Sequence, residues 1–333
     1  MPSAEAIDPI ASLGGPPTGV AGWRKAIGQR PILLVWFGTV MFSTGPVMVA
    51  SSSVSGAVFS FWRLWIGVVL LGTLAVGAQR RTTTTITRDG LRWTLVAGVT
   101  FAIHQVCLMA ALHTTSVVDV TLMNTLAPLV VALLAVKMFD ERPGSAFRAW
   151  SVVAIAGAVV VAVAGSSGPG GHPLGMALAA VNVVFYSFFF VASKRARDHI
   201  DIMTFLAMAT VVAAVVVSLY VATTGAIEGT GWATFSISAH DLLLCLAVAA
   251  IPGLLGHFSM TWSLKYVPAN LPPVIMLSLP FLSGALAWVL LGQTITWVKV
   301  AGGALTLAGV AGAIRSASAA SVTVEAIELA EET

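Results

Sequence analysis

Charge is what this sequence has least of. Asp, Glu, Lys and Arg make up 9% of its 333 residues, against 57% apolar side chains. A soluble domain carries about 25% charged residues, so this chain lacks the side chains to cover a water-facing surface. A mean hydropathy of +0.93 agrees, and the composition is that of an integral membrane protein. Cysteine is scarce too. Cys107 and Cys245 lie in apolar runs without CxxC spacing. That excludes a disulfide framework or a cysteine metal site and suits small side chains in helix packing.

Chemical signatures are also missing. HExxH, GxSxG and carboxylates at metal-ligand spacing do not occur, which argues against an enzyme and leaves no metal or cofactor expected. Without GxxxxGK[ST], ATP does not drive the protein directly. Polar residues are too scattered for the ring a channel needs. The net charge of +3 and pI near 9.1 come without a basic patch interleaved with aromatics, so they fit loops facing anionic lipid and no nucleic acid. Residues 1–31 are Gly/Pro-rich and lack the apolar core of a signal peptide. They read as a flexible cytoplasmic tail.

What is present is a succession of roughly ten apolar runs, each long enough for a helix across a ~30 Å hydrocarbon core. The expected spans are 32–50, 57–77, 92–112, 116–136, 149–165, 173–193, 202–224, 241–262, 270–291 and 297–314. With the N-terminus in the cytoplasm, 15 of the 17 Lys and Arg fall inside, the exceptions being Lys299 in an outer loop and Arg63 within a span. The positive-inside rule therefore places both termini in the cytoplasm of a multi-pass protein of the cell (inner or plasma) membrane.

The segment 166–172 is a Gly/Pro linker between two halves, 32–165 and 173–315, with an acidic cytoplasmic tail at 316–333. Aligning Pro128 with Pro280, an offset of 152, also matches Leu112 with Leu264, Gly157 with Gly309 and Glu141 with Gln293. Five helices per half, an odd number, make the halves inverted repeats, the usual build of secondary transporters.

Residues 111–150, with A-L-x-x-T, a mid-helix Pro128, an apolar run closed by Glu141–Arg142 and then a small-residue helix, resemble the EamA domain of the drug/metabolite transporter superfamily. FSFWR, ending at Arg63, resembles it as well, and the pattern returns over 263–312 with Pro280 and LGQ. Gln293 departs from the Glu usual in that family, which weighs against a symmetric pair of loop carboxylates. The resemblance implies an all-α membrane protein of about ten helices in two inverted five-helix repeats. It implies a central cavity lined by the first four helices of each half, the fifth and tenth serving packing. Small residues support that last role: Ala154, Ala158 and Ala162 in the fifth, and Ala304, Ala308 and Gly312 in the tenth, with Gly302, Gly303 and Gly309 alongside.

A charge in the hydrocarbon costs at least ~2.5–3.5 kcal/mol, so each one needs a reason. Arg63 has three readings: snorkelling to the headgroups, an ion pair with Asp119, or contact with an anionic substrate group, for which its planar fork is suited. His104 and His257 are either packing histidines or cavity groups that titrate. Asp119, with His104 and Arg63, is a candidate for proton coupling. Asn124 and Pro128 share a face of the fourth helix, where the proline frees a carbonyl. Asn182 and Tyr186 form a second polar stripe, and Ser278 lies near Pro280. Pro128 and Pro280 are expected helix kinks. Trp62 and Trp65 flank Arg63, and the deeper Trp36 and Trp288 either close a pocket or face lipid. Glu141–Arg142 reads as a local ion pair that holds a loop.

These features favour a secondary transporter of small organic metabolites, such as amino acids, related compounds or drugs. It would work by alternating access around a central cavity, as an exporter. The alternative is a facilitator or a carrier of phosphorylated or sugar-linked metabolites, but several charges on the substrate would call for several buried cations. A membrane enzyme or channel ranks below both. Partners are the substrate and the bilayer, with proton coupling and a homodimer left open.

Overall fold

A computed structural model describes residues 31–79, 87–139, 144–167, 172–197, 199–256, 259 and 275–331. Among them the chain is mostly helical, with short turns and links between helices. The helices are α1 (Pro31–Ala50), α2 (Gly56–Gln79), α3 (Arg88–Thr114), α4 (Val117–Asn124), α5 (Ala127–Phe139), α6 (Ser145–Ser167), α7 (Pro173–Arg197), α8 (Ile202–Ile227), α9 (Ala239–Val248), α10 (Leu279–Leu291) and α11 (Trp297–Glu331). A π-helical segment, Ala249–Gly256, prolongs α9. Eight helices are long and apolar enough to cross a membrane. The expected fourth and ninth spans are the short exceptions, and with them the total is about ten.

Both exceptions trace to a proline. The fourth span was expected as one kinked helix, but it breaks into α4 and α5. Pro128 has no N–H to donate to Asn124, and the chain turns instead through Thr125 and Leu126, whose N–H groups bond Leu122 O and Met123 O. In the second half Pro280 occupies the first turn of α10, behind a turn at Ser278. So both matched prolines start a short helix rather than bend a long one. Pro252 marks the π-helical segment, where a proline displaces the regular ladder.

The offset of 152 reappears in the packing of α6 on α11. A Cβ on Gly157 would strike the Thr306 backbone, and one on Gly309 would strike the backbone of Ala154. Adding 152 to 154 and 157 gives 306 and 309, so each contact is the image of the other. Trp150 against Gly312 and Val160 against Gly302 form a second reciprocal pair. The expected stripe on the tenth helix is displaced, however. Ala304 and Ala308 are exposed, while Gly302, Thr306, Gly309 and Ala313 face inward. The wider contacts follow the same inversion. The second span packs on the seventh (α2 on α8), and α3 on α7 as α9 and its π-segment pack on α1.

Outward faces carry large apolar side chains, among them Val69, Val152, Leu219, Phe281 and Val289, as lipid contact requires. Trp36 and Trp288 stand on these faces at 42% and 63% exposure, so they close no internal pocket. The expected acidic tail after 315 is continuous with α11, which runs on to Glu331.

Candidate functional site

Polar side chains of both halves meet in the middle of the bundle. Asn124 ends α4, where the proline break leaves backbone groups exposed to neighbours. The Asn182 amide on α7 donates to Asn124 Oδ1, and Ser187, one turn on, reaches Ala127 O at 3.4 Å. Counting 1.5 Å per residue from the helix ends, Asn182 and His104 lie roughly 15 Å deep. His104 on α3 stacks between Phe101 (5.6 Å) and Tyr186 (4.7 Å), each at 26°. The ring wall continues through Phe189 and Phe190. Arg63 on α2 is close enough for its charge to act on His104.

The cluster is buried but incompletely satisfied. Arg63 Nε and Gln105 Oε1, like Asp119 Oδ1 elsewhere, are enclosed without a hydrogen-bond partner, and His104 and Asn182 meet at hydrogen-bonding range. His104, Gln105 and Asn182 keep 5%, 3% and 0% of their surface. A buried polar atom without a partner costs about 1–3 kcal/mol. Unpartnered atoms of this kind imply a region organised around something other than its own side chains.

Asp119 belongs elsewhere. Its Oδ2 accepts a salt bridge from Lys299 Nζ at 2.7 Å, the two side chains being 0% and 5% exposed. Ser116 Oγ donates to the same oxygen at 2.6 Å and accepts from Asp119 N, capping α4. Thr115 Oγ1 adds a longer bond. The Arg63–Asp119 pair held open from the sequence is therefore not formed. Lys299, expected in an outer loop, is instead a buried cation in the first turn of α11. Further polar contacts cross between the halves at this end, among them Trp62 Nε1 donating to Phe235 O at 3.0 Å. The Val117 N–H donates to Gln293 Oε1 at 3.0 Å, so the residue that replaces the family's Glu caps α4 as a neutral amide. Asp241 accepts from Ser53 N and Oγ at 2.9 and 2.6 Å, while Ser238 caps its helix. SVVD at 116–119 and SAHD at 238–241 are thus the same capping motif used twice, each with a carboxylate bridged to the other half.

Of the sequence candidates, the structure gathers Arg63, His104, Asn124, Asn182 and Tyr186. It separates Asp119, and sets Ser278 in the turn before α10, bonded to Ile275 O. His257, Glu141 and Arg142 lie outside the described residues. Gln105, Phe101, Phe189, Ser53, Asp241 and Lys299 were missed. Their signals were the i, i+3 spacing of Phe101 with His104, the repeated S-x-x-D, and a lysine where a helix dipole disfavours one. A notch of about 500 Å³ lined by Trp150, Gly312 and Arg315 lies between α6 and α11 and takes no part in the cluster. Among the described residues no three His, Cys, Asp or Glu side chains gather to hold a metal ion.

Comparison with known proteins adds the lineage. A search of curated proteins gives no match. A solved structure described only as "Crystal structure of protein" superposes with a TM-score of 0.56 at 18% identity, covering 86% of this chain and 97% of that one. At that identity the likeness speaks for the fold alone. The profile of the EamA-like transporter family matches residues 29–163 and again 173–315. With the family matched over each five-helix half, the chain belongs to the EamA-like transporters, membrane transporters of the drug/metabolite type.

Proposed function

We propose that this transporter is a secondary carrier that moves small organic metabolites by alternating access, with Arg63, His104, Gln105, Asn124, Asn182 and Tyr186 as its central substrate site. The observation that carries this is the buried polar cluster in which Arg63 Nε and Gln105 Oε1 have no partner, built with Asn182 from α2, α3 and α7 and so from both halves. A substrate with a polar head and a flat or apolar body would satisfy them and lie along the Phe101–His104–Tyr186 stack.

Alternating access draws support from the polar contacts that tie the halves together at one end. Under the positive-inside rule that end is outside and both termini are in the cytoplasm. A closed outer end leaves the cytoplasmic face as the side from which this conformation exchanges substrate, and we read the net direction as export across the cell membrane. In this reading proton coupling runs through His104, because Asp119 is held by Lys299. A carrier of several-fold charged phosphorylated metabolites is disfavoured, since Lys299 is already paired and Arg63 stands alone among the described residues of the cluster. The test is flux of a metabolite panel into proteoliposomes with and without a pH gradient. Flux that Asn182→Ala and Arg63→Ala both abolish in well-folded protein supports the reading. Flux indifferent to both removes this site from it.

A further inference from the structure

Charge balance around Arg63 narrows the substrate class. Its backbone lies roughly 10 Å into α2, and its Nε is enclosed without a partner. Two carboxylates fall within the described spans on this side of the bundle, and both are committed. Asp119 is neutralised by Lys299 and held by Ser116 and Thr115. Asp241 takes three hydrogen bonds, two from Ser53 and one from Ser238. No carboxylate pairs with Arg63 among the described residues. The groups that do surround the cluster are neutral: the amides of Gln105, Asn124 and Asn182, the His104 and Tyr186 rings, and the Cys245 thiol, which sits against Phe59 O.

We propose that the site selects organic monoanions: a single carboxylate on an apolar or aromatic body, without an ammonium group. The carboxylate takes the fork of Arg63, and the body lies against the ring wall of Phe101, Tyr186 and Phe189. Gln105 and Asn182 offer their amides to any hydroxyl or amide substituent. A zwitterion carries its ammonium into the same low-dielectric space as Arg63, and no free carboxylate there offsets it. A neutral amide leaves the guanidinium uncompensated. This assignment rests on the transporter reading and on the central cluster being its site.

A matched series tests it with the full chain purified in detergent: 3-phenylpropionate, its amide, phenylalanine and phenethylamine. These share one skeleton and differ in charge. The thermal shift is expected to show 3-phenylpropionate binding at least roughly tenfold more tightly than the other three. Arg63→Gln is expected to erase that preference, and Arg63→Lys to keep it with weaker binding. Gel filtration and the melting curve of each variant without probe establish that it is folded. The proposal is overturned if phenylalanine or the amide binds as well as the acid. It is also overturned if the preference survives in folded Arg63→Gln, or if no carboxylate binds. Flux assays keep the two readings apart. Arg63-dependent transport of neutral or cationic metabolites, with carboxylates ignored, leaves the transporter intact and removes only the charge assignment.

Discussion

Removing one member of the Asp119–Lys299 pair should open the bundle at that end. The Nζ–Oδ2 distance is 2.7 Å and neither side chain is more than 5% exposed. A buried pair of this kind adds little net stability over an apolar pair, but deleting one partner strands a charge and costs about 3–5 kcal/mol. In the proposed cycle that cost falls on the closed state alone, because the charge regains water once the halves part. At 1.36 kcal/mol per factor of ten, the closed-to-open ratio drops by roughly two to nearly four orders of magnitude. Asp119→Asn and Lys299→Met should each do this, and the double variant should recover most of the loss. The assay is labelling by a membrane-impermeant maleimide of a cysteine placed at Gln105, in a chain with Cys107 and Cys245 replaced. Labelling from outside should rise steeply in both single variants and fall back in the double. If folded single variants label at the parental rate, or if the double simply sums the singles, the pair is not a latch.

Gly309→Leu should lower the melting temperature, since its Cβ meets the Ala154 backbone and overpacking costs about 1–3 kcal/mol. The reciprocal Gly157→Leu should cost about as much, and a large difference between them would break the symmetry argument. Cysteines at Ile227 or Trp232, both highly exposed, should label from outside intact cells, and one at Lys194 only after permeabilisation; the reverse pattern overturns the assigned orientation. His104→Gln should flatten the dependence of transport on external pH while substrate exchange persists. A pH profile matching the parent would leave a facilitator.

The legible part of this protein was everything that obeys a local rule. Apolar runs of membrane length, two prolines 152 residues apart and glycines at helical spacing are visible in one dimension, and the α6–α11 contacts fall on that same offset. Asn182 and Tyr186 were found because they share a helix face. Lys299 was lost for a physical reason. Counting cations to orient a membrane protein treats each as a marker of the water boundary, whereas its partner here lies 180 residues away. The warning was its place in the first turn of α11, where the helix dipole repels a cation, together with the S-x-x-D at 116–119. The proline breaks were misjudged for the opposite reason. A proline inside an apolar run fits a kink or a break, and the choice rests on whether the chain can turn through local bonds such as Thr125 N–H to Leu122 O.

That choice bears on how the carrier moves. α6 and α11 approach so closely that backbone atoms occupy the space a side chain would need at positions 157 and 309. A pair packed in that way resists sliding, because any shift drives backbone into backbone. α4 is different. It is one of the shortest helices, eight residues, set free at its far end by the turn before Pro128. It is tied at its near end by polar contacts to Gln293 and Lys299. Lys299 belongs to α11 and Gln293 to the five-residue link behind α10. In the proposed cycle, then, the α6–α11 pair is the fixed post and α4 the part that docks on it. The Asn124–Asn182 bond transmits that docking to the substrate site. Substrate bound between Arg63 and Asn182 would bias the position of α4 through Asn124, and the latch would follow. This coupling needs only one helix with two resting positions and the polar contacts that distinguish them.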